Sequence, residues 1–416
     1  MNISKQQILE GSRAIALTVK NINPAVVSAY PITPQTHIVE DLAKFKADGE
    51  GKYEYVRAES EFAAASIVAG ASAAGVRAYS ATSSQGLLLM AEVIYNIAGM
   101  RLPIVMTCAN RSISAPINIW NDQQDVMTIR DAGWILLFAE NHQEAVNQHV
   151  MAFKIAEQLK LPVMVNVDGF VMTHTYEPVI IPTAEQIKTY LPDYSPEAGQ
   201  FLDPANPATL GALATPLHYM EIRQELHDDL NASLKTIELE YKNFNKIISS
   251  LKIEKLKIKN SSKDLITIDN GWFEYTGPKS PQTILVAMGS VIGTIKDTIN
   301  SLPPDKGGKG GLFSNRRSGG GVGILKIKCF RPFPAEQILK IIKPAKNIAV
   351  IDKSISLGFT GTLAAEIKTI CQGKTNANIR SFIVGLGGRD ITKEIIKKII
   401  KQAGRKNDRA QFIGKA

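Results

Sequence analysis

An α/β fold built on a mostly parallel sheet, followed by a second α/β unit, is what this sequence predicts. Three observations point there. Short apolar strand-like runs alternate with helix-period segments over the first two hundred residues, the order that a parallel sheet covered by helices produces. The alternation lapses across a proline-rich stretch and a long amphipathic helix, then resumes near Thr283. The chain has 416 residues and is 44% hydrophobic, enough for more than one core.

Each element has its own reason. Ile8 to Val19 has helical period, Ala25 to Ser28 is a short apolar strand, and Thr36 to Phe45 is a helix. Tyr53 to Val56 reads as a strand and Ser60 to Ala74 as a helix dominated by Ala, Gly and Ser. Arg77 to Ser80, Pro103 to Cys108, Trp134 to Phe138 and Pro162 to Val167 continue the strands. Gln85 to Ala98 and Gln143 to Gln158 are the helices between them. Pro182 to Pro216 is rich in proline and small polar residues and reads as an extended arm. Tyr219 to Leu251 is the long helix, and residues 252–280 are basic and irregular. In the second unit, Thr283 to Met288, Ile324 to Lys328, Ile348 to Asp352 and Arg380 to Val384 are strands. Val291 to Ile299, Ala335 to Ile342, Thr360 to Ile370 and Thr392 to Ala403 are helices. The glycine-rich run from Asp305 to Gly321 has the composition of a solvated loop, and it lacks P-loop spacing.

The formal charge of +9 hides an asymmetry: residues 1–240 hold 16 Lys/Arg and 27 Asp/Glu, residues 241–416 hold 32 and 12. The acidic front argues against a nucleic-acid protein as a whole. The basic back half can face an acidic partner or RNA, or be a solvated lysine-rich surface. No apolar run reaches membrane-span length, and Met1 to Lys20 lacks a signal-peptide core. Cys108, Cys329 and Cys371 are too few and scattered for a disulfide framework or an iron–sulfur motif. A reduced, cytoplasmic protein is expected, with any redox cofactor on another chain.

Tyr30-Pro31-Ile32-Thr33-Pro34 follows the first apolar strand. Two prolines fix φ and push the residue before each toward extended geometry. Thr33 is thus presented at a rigid strand end, where its hydroxyl can donate and accept. An ordinary strand-to-helix turn capped by Thr33 or Thr36 fits equally. Glu59-Ser60-Glu61 opens the small-residue helix, where the macrodipole favours an acid. That capping role suits Glu59. Glu61 precedes Ala63, Ala64 and Ala65, small side chains that let a flat ligand come close. A carboxyl losing water there suits proton exchange with a heterocycle nitrogen.

Thr82-Ser83-Ser84-Gln85-Gly86 passes from strand to helix, and its hydroxyls and N–H groups can hold an anion or a ring edge, or merely cap the helix. Arg111 lies just past a strand's carboxyl end, where open α/β sheets put ligands, and arginine grips carboxylates bidentately. A surface arginine would read the same way. Asn118 to Asp125 is a polar loop that Asx turns alone could account for. Asp168-Gly169 lacks the preceding glycine and downstream Asn pair of a diphosphate–magnesium motif. Gly289-Ser290 can hold phosphate or make a tight β–α turn. The six histidines show no metal-ligand spacing.

Tyr30 to Pro34 followed by Glu59-Ser60-Glu61 resembles the α-subunit of 2-oxoacid:ferredoxin oxidoreductases, and of the pyruvate enzymes in particular. The resemblance runs from Gly11 to Arg389. It takes in the Ala81 to Gly86 turn, Trp120-Asn121-Asp122 with Asp125, Phe330 to Pro334, and Asp352 to Ser354. The glycine-rich insertion departs from it. The resemblance implies a thiamine-diphosphate pyrimidine-binding domain over 1–240 with an arm and long helix, a linker over 241–280, a transketolase C-terminal-like domain over 281–404 with an insertion at 305–321, and a basic tail over 405–416. It implies Glu61 as the acid on the aminopyrimidine ring, with Glu59 second. Pro31, Ile32, Ser84 and Gln85 would touch the cofactor, Thr33 and Arg111 the substrate. Asn121 and Asp125 would lie in an active-site loop.

The activity so implied is oxidative decarboxylation of pyruvate with coenzyme A to acetyl-CoA and CO2, electrons passing to ferredoxin. Thiamine diphosphate would be shared with a β-subunit that supplies the diphosphate and Mg2+ site. Iron–sulfur clusters would lie on that subunit and on a ferredoxin-like δ-subunit, beside a γ-subunit. No membrane or nucleic acid is expected. A 2-oxoisovalerate or 2-oxoglutarate enzyme is the near alternative. A non-catalytic α/β protein binding RNA or an acidic partner is the distant one, and salt-sensitive RNA affinity would mark it.

Overall fold

The computed structural model describes residues 5–250, 265–301 and 321–415. The insertion expected at 305–321, but for Gly321, and residues 251–264 of the expected linker lie outside them. The front half runs β1 (Gln6–Glu10), α1 (Gly11–Ile22), β2 (Val26–Ala29), α2 (Thr36–Ala47), β3 (Glu54–Arg57), α3 (Glu61–Ala73) and β4 (Ala78–Thr82). It continues with α4 (Ser84–Leu89), α5 (Ala91–Gly99), β5 (Val105–Asn110), α6 (Gln124–Thr128), β6 (Ile135–Phe138), α7 (His142–Leu159) and β7 (Val163–Asp168). Then come β8 (Tyr176–Ile180), α8 (Ala184–Tyr190) and the long α9 (Pro216–Ser250).

The back half holds β9 (Leu265–Asp269), β10 (Phe273–Pro278), β11 (Thr283–Ala287), α10 (Val291–Ser301), β12 (Val322–Ile327) and β13 (Cys329–Arg331). It ends with α11 (Ala335–Ile342), β14 (Asn347–Asp352), α12 (Thr362–Cys371), β15 (Asn378–Ile383), α13 (Lys393–Gln402) and β16 (Gln411–Phe412).

Two seven-stranded sheets carry the molecule, ordered β13-β6-β7-β5-β4-β2-β3 and β16-β15-β14-β11-β12-β10-β9. In the first, every pairing but β13 with β6 is parallel. In the second, β16 through β12 pair in parallel and β10 and β9 add antiparallel. The strands β4, β5, β6 and β7 are buried at every residue, as in a parallel sheet covered on both faces, with polar residues such as Thr82, Asn110 and Asp168 at their carboxyl ends. The α/β expectation therefore holds.

Five local expectations are corrected. Ile8 to Glu10 is strand, not helix: it pairs with β8, and the helix starts at Gly11. A Cβ at Gly11 would sit 1.6 Å from the Met172 carbonyl oxygen, so the chain can turn there only without a side chain. The run from Gln85 to Ala98 divides into α4 and α5, bending at Met90, where ψ is −10°. The arm from Pro182 contains α8, closed by a capping box of Thr183 and Gln186. Residues 265–278, expected irregular, form β9 and β10, and the expected tail contributes β16.

The two sheets are stitched by one segment. Residues 322–327 form β12 in the second sheet; after Lys328 the chain becomes β13 and pairs with β6 of the first. The Lys328 carbonyl accepts from Phe138 N–H at 2.8 Å, and Lys328 N–H donates to Trp272 O at 2.9 Å. Phe330, fully buried, packs edge-on against Phe138 at 6.3 Å. One apolar core runs continuously between the sheets, including Trp134, Phe138, Phe330 and Ile327.

Candidate active site

The carboxyl ends of β2, β4, β5 and β7 open on one edge of the first sheet, because those strands are parallel. The expected site residues follow these ends, except Glu61, which opens α3 after β3. The turn after β2 is held by Gln35, which is fully buried and donates to Tyr30 O and Ala81 O, the latter at 2.6 Å. Thr33 is exposed, with Pro31 exposed and Ile32 half-buried beside it. Gln35 was not singled out in the sequence; a glutamine signals nothing until its carbonyl partners are known.

Ser60 caps α3, its side chain accepting from Ala63 N–H at 3.1 Å. Glu59 is exposed, whereas Glu61 is 8% exposed in the first turn. The Glu61 carboxyl has no hydrogen-bond or ion-pair partner among the described residues. Facing it, α4 approaches closely. A Cβ on Gly86 would come within 2.5 Å of Thr82 Oγ1 and 2.8 Å of Glu61 Oε1. Thr82 Oγ1 is likewise buried without a partner. A buried carboxyl and hydroxyl, both unsatisfied and beside a glycine, can serve the polar edge of a small heterocycle.

Ser84 starts α4 in the left-handed region, φ 46°, a conformation that non-glycine residues rarely hold. Its N–H donates to Asp125 Oδ2 at 3.0 Å, which fixes it there. Asp125 is fully buried and also accepts from Arg111 N–H at 2.9 Å and Asn110 Nδ2 at 3.1 Å. Burial pushes its carboxyl above the usual value, and these donors pull back. Asp125 thus ties the ends of β4 and β5 together. The Ser84 hydroxyl donates to Ser112 O, and the half-buried Gln85 amide donates to Ser114 O at 3.4 Å.

Arg111 is 7% exposed and meets Thr33 through the backbone: its Nη1 donates to Thr33 O at 2.9 Å. Its Nε donates to Asn118 O at 3.0 Å. These two bonds orient the guanidinium and leave Nη2 uncommitted among the described residues. Asn121 is buried and donates to Asn110 O at 3.1 Å and Asp168 Oδ1 at 3.3 Å.

The second unit closes this loop. Asp168 is fully buried and accepts from Lys353 Nζ at 2.8 Å, Ser290 N–H at 2.8 Å and Gln123 Nε2 at 3.0 Å. Burial alone would raise its carboxyl, but the Lys353 ammonium and the Ser290 donors outweigh it and hold it low. The Gly289-Ser290 turn thus spends its N–H on Asp168 rather than on phosphate. Asp122, also buried, accepts from Gly387 N–H at 3.2 Å and Gln124 N–H at 3.0 Å. Burial raises it to about 7. Lys353, Ser290 and Gly387 carried no sequence signal of this role, since their partners lie over a hundred residues away.

Residues 18–242 match the family described as pyruvate flavodoxin/ferredoxin oxidoreductase, thiamine diphosphate-binding. Residues 282–396 match pyruvate:ferredoxin oxidoreductase core domain II. The chain is 43% identical to the pyruvate synthase subunit PorA of Methanocaldococcus jannaschii, over 97% of this chain and 96% of that one. It is 42% identical to the PorA subunit of Methanosarcina barkeri, over 96% and 92%. Against the ketoisovalerate oxidoreductase subunit VorA of Pyrococcus abyssi it is 38% identical, over 95% and 92%. Among solved structures it is similar to 2-oxoglutarate:ferredoxin oxidoreductase from Magnetococcus marinus, with a TM-score of 0.64 and 19% identity. That likeness covers 97% of this chain and spans 66% of the other. On these grounds, and on the site just described, the chain belongs to the pyruvate flavodoxin/ferredoxin oxidoreductase family.

Proposed function

We infer that this chain is the α-subunit of a multi-subunit pyruvate:ferredoxin oxidoreductase, whose first sheet presents the pyrimidine end of thiamine diphosphate. The relatives named as PorA subunits support pyruvate as the substrate, at identities up to 43%, with the VorA relatives at 38% and 36%. One observation carries the site reading: the buried Glu61 carboxyl, without a partner among the described residues, faces the close approach of Gly86.

Thiamine diphosphate, when bound, supplies the nucleophilic carbon and electron sink that 2-oxoacid decarboxylation needs. The chain's own residues do the rest. Glu61 holds a proton at a ring nitrogen and passes it in and out. Gly86 lets the ring edge reach that carboxyl, with Thr82 Oγ1 as a second polar contact. Pro31, Ile32, Ser84 and Gln85 shape the walls, though the Ser84 and Gln85 side chains bond mainly to the loop at 112–114. Arg111 Nη2, with the Thr33 hydroxyl, receives the substrate carboxylate. Asp125 and Asn121 fix the loop ends rather than touch substrate. We place the diphosphate, Mg2+ and iron–sulfur sites on partner subunits. The scattering of three cysteines, each buried separately, supports that for the clusters. Ferredoxin and coenzyme A would meet the assembled complex.

The test is turnover of the complex purified through this chain. Pyruvate should reduce ferredoxin in a coenzyme A-dependent way, with kcat/KM above those for 2-oxoisovalerate and 2-oxoglutarate. Glu61→Gln should lower turnover by roughly 10²–10⁴-fold, the usual worth of a general acid–base group. Near-normal turnover in that variant would remove the thiamine role from Glu61.

A further inference from the structure

We propose that Glu10, His37 and His174 form a divalent-metal site of zinc class, bracing the outer wall of the candidate active site. One ligand atom from each lies within 4.8 Å of the others. The residues come from three separate places: Glu10 ends β1, His37 is in the first turn of α2, and His174 lies in the turn between β7 and β8. Two imidazoles and a carboxylate with solvent access match the donor set of zinc sites that keep an open position.

The cluster is built rather than incidental. Glu10 Oε1 and His37 Nδ1 are already 2.7 Å apart. The His37 and His174 ring centroids lie 4.6 Å apart, with the rings tilted by 35°, and Phe170 packs against His174 at 4.7 Å. His174 Nδ1 bonds Thr173 Oγ1 at 2.7 Å, which fixes the ring and leaves Nε2 as the nitrogen open to a metal. The turn bearing His174 is locked to the start of α1: Ser12 Oγ donates to Thr173 O at 2.9 Å and Gly11 N–H to Thr175 O at 3.2 Å. The backbone next to Glu10 is therefore held beside the turn that carries His174. Two close imidazoles without a shared metal gain little from each other, whereas a divalent cation would satisfy both and the carboxylate.

The position gives the site a consequence. The second residue of α2 is His37, and α2 follows directly on Thr33-Pro34. At the other side, a Cβ on Gly169 would meet Pro34 Cγ at 2.6 Å, so the β7–β8 turn abuts the same proline. A metal bridging α2 to that turn would hold the Thr33 strand end from outside. The site stands apart from the thiamine reading and does not depend on it.

The experiment is zinc binding to the purified complex, after dialysis against a mild chelator, followed by calorimetric titration with zinc chloride and metal analysis. One zinc per copy of this chain is expected. His37→Gln, at an exposed position that tolerates change, should weaken it roughly 100-fold, and His37→Gln with His174→Gln should abolish it. Zinc should also raise the melting temperature of the wild type and not that of the double variant. His227→Gln, on the exposed face of α9, should leave zinc binding unchanged. Absence of stoichiometric zinc binding by the wild type, or equal affinity in the double variant, would overturn the proposal.

Discussion

Arg111 shows how much one side chain is asked to do. Its Nε and Nη1 hold the Asn118 and Thr33 carbonyls, and only the outer edge of the fork remains for a substrate carboxylate. Arg111→Lys keeps the charge but replaces the planar fork with one nitrogen, which cannot span both carbonyls and grip a carboxylate in the same geometry. Losing a charge-assisted hydrogen bond costs roughly 1.5–3 kcal/mol, so KM for pyruvate should rise about ten- to a hundredfold. Thiamine diphosphate affinity should change much less. Thr33→Val should act in the same direction more weakly. Steady-state kinetics beside a cofactor titration separates the cases; equal loss of both affinities would make Arg111 a scaffold residue. Asp122 offers a second residue-scale test. Its folded value, raised by burial to about 7, lies above its ordinary 3.8. Between those values the folded chain holds a proton that the unfolded chain has lost, so stability falls as pH rises. The slope approaches about 1.4 kcal/mol per pH unit. Asp122→Asn should remove that component. Denaturant unfolding of wild type and variant across this window should diverge; parallel profiles would refute the raised value.

At the level of elements, α4 packs closely onto β4 and α3 beside the site. The Ala81 to Gly86 stretch reads as a strand-to-helix turn from sequence, and so it is. That Gly86 is obligatory follows only from the approach of Thr82 and Glu61. Gly86→Ala would press a methyl against a buried strand hydroxyl that cannot retreat. Overpacking of this kind costs about 1–3 kcal/mol. Here it displaces Glu61 as well, so thiamine diphosphate binding should weaken while circular dichroism stays unchanged. Undiminished cofactor affinity would mean that the ring does not lie between these residues. The other element-scale lesson concerns short runs. Ile8-Leu9-Glu10 fits helix or strand by period, and only pairing with β8 decides it. The capping box of α8, Thr183 with Gln186, lies in a stretch whose prolines read as an extended arm.

Across the whole molecule, the charge asymmetry is partly spent inside. Lys326 Nζ lies 2.7 Å from both Glu140 and Glu144, and Lys328 Nζ lies 3.4 Å from Glu144 and 2.8 Å from Asp269. Burial would raise Glu144, yet these two ammonium groups bring it to about 2. Basic residues of the back half thus face acids of the front half across the seam made by β13. Lys353 with Asp168 is the same device beside the active-site loop. Lys353→Met should destabilise the chain by about 3–5 kcal/mol, because it strands a buried carboxylate. Adding Asp168→Asn should recover part of that loss, a coupling that a double-mutant cycle measures. Strictly additive losses would show that the pair does not act as a unit.

The sequence by itself determined the α/β class, most strands and helices, and the placing of Thr33, Glu61, Ser84 and Arg111 at strand ends or helix starts. Those features are local: apolar period, proline geometry and small-residue runs write them into neighbouring residues. The family, too, was legible, because its motifs are contiguous. Only the tertiary structure decided that Glu61 is buried, without a partner among the described residues, while Glu59 is exposed. It alone decided that Arg111 reaches Thr33 through the backbone carbonyl, that Lys353 neutralises Asp168 while Ser290 donates to it, and that Glu10, His37 and His174 converge. Burial and charge pairing depend on segments far apart in the chain, and no local pattern encodes which distant group will supply the second half of a contact.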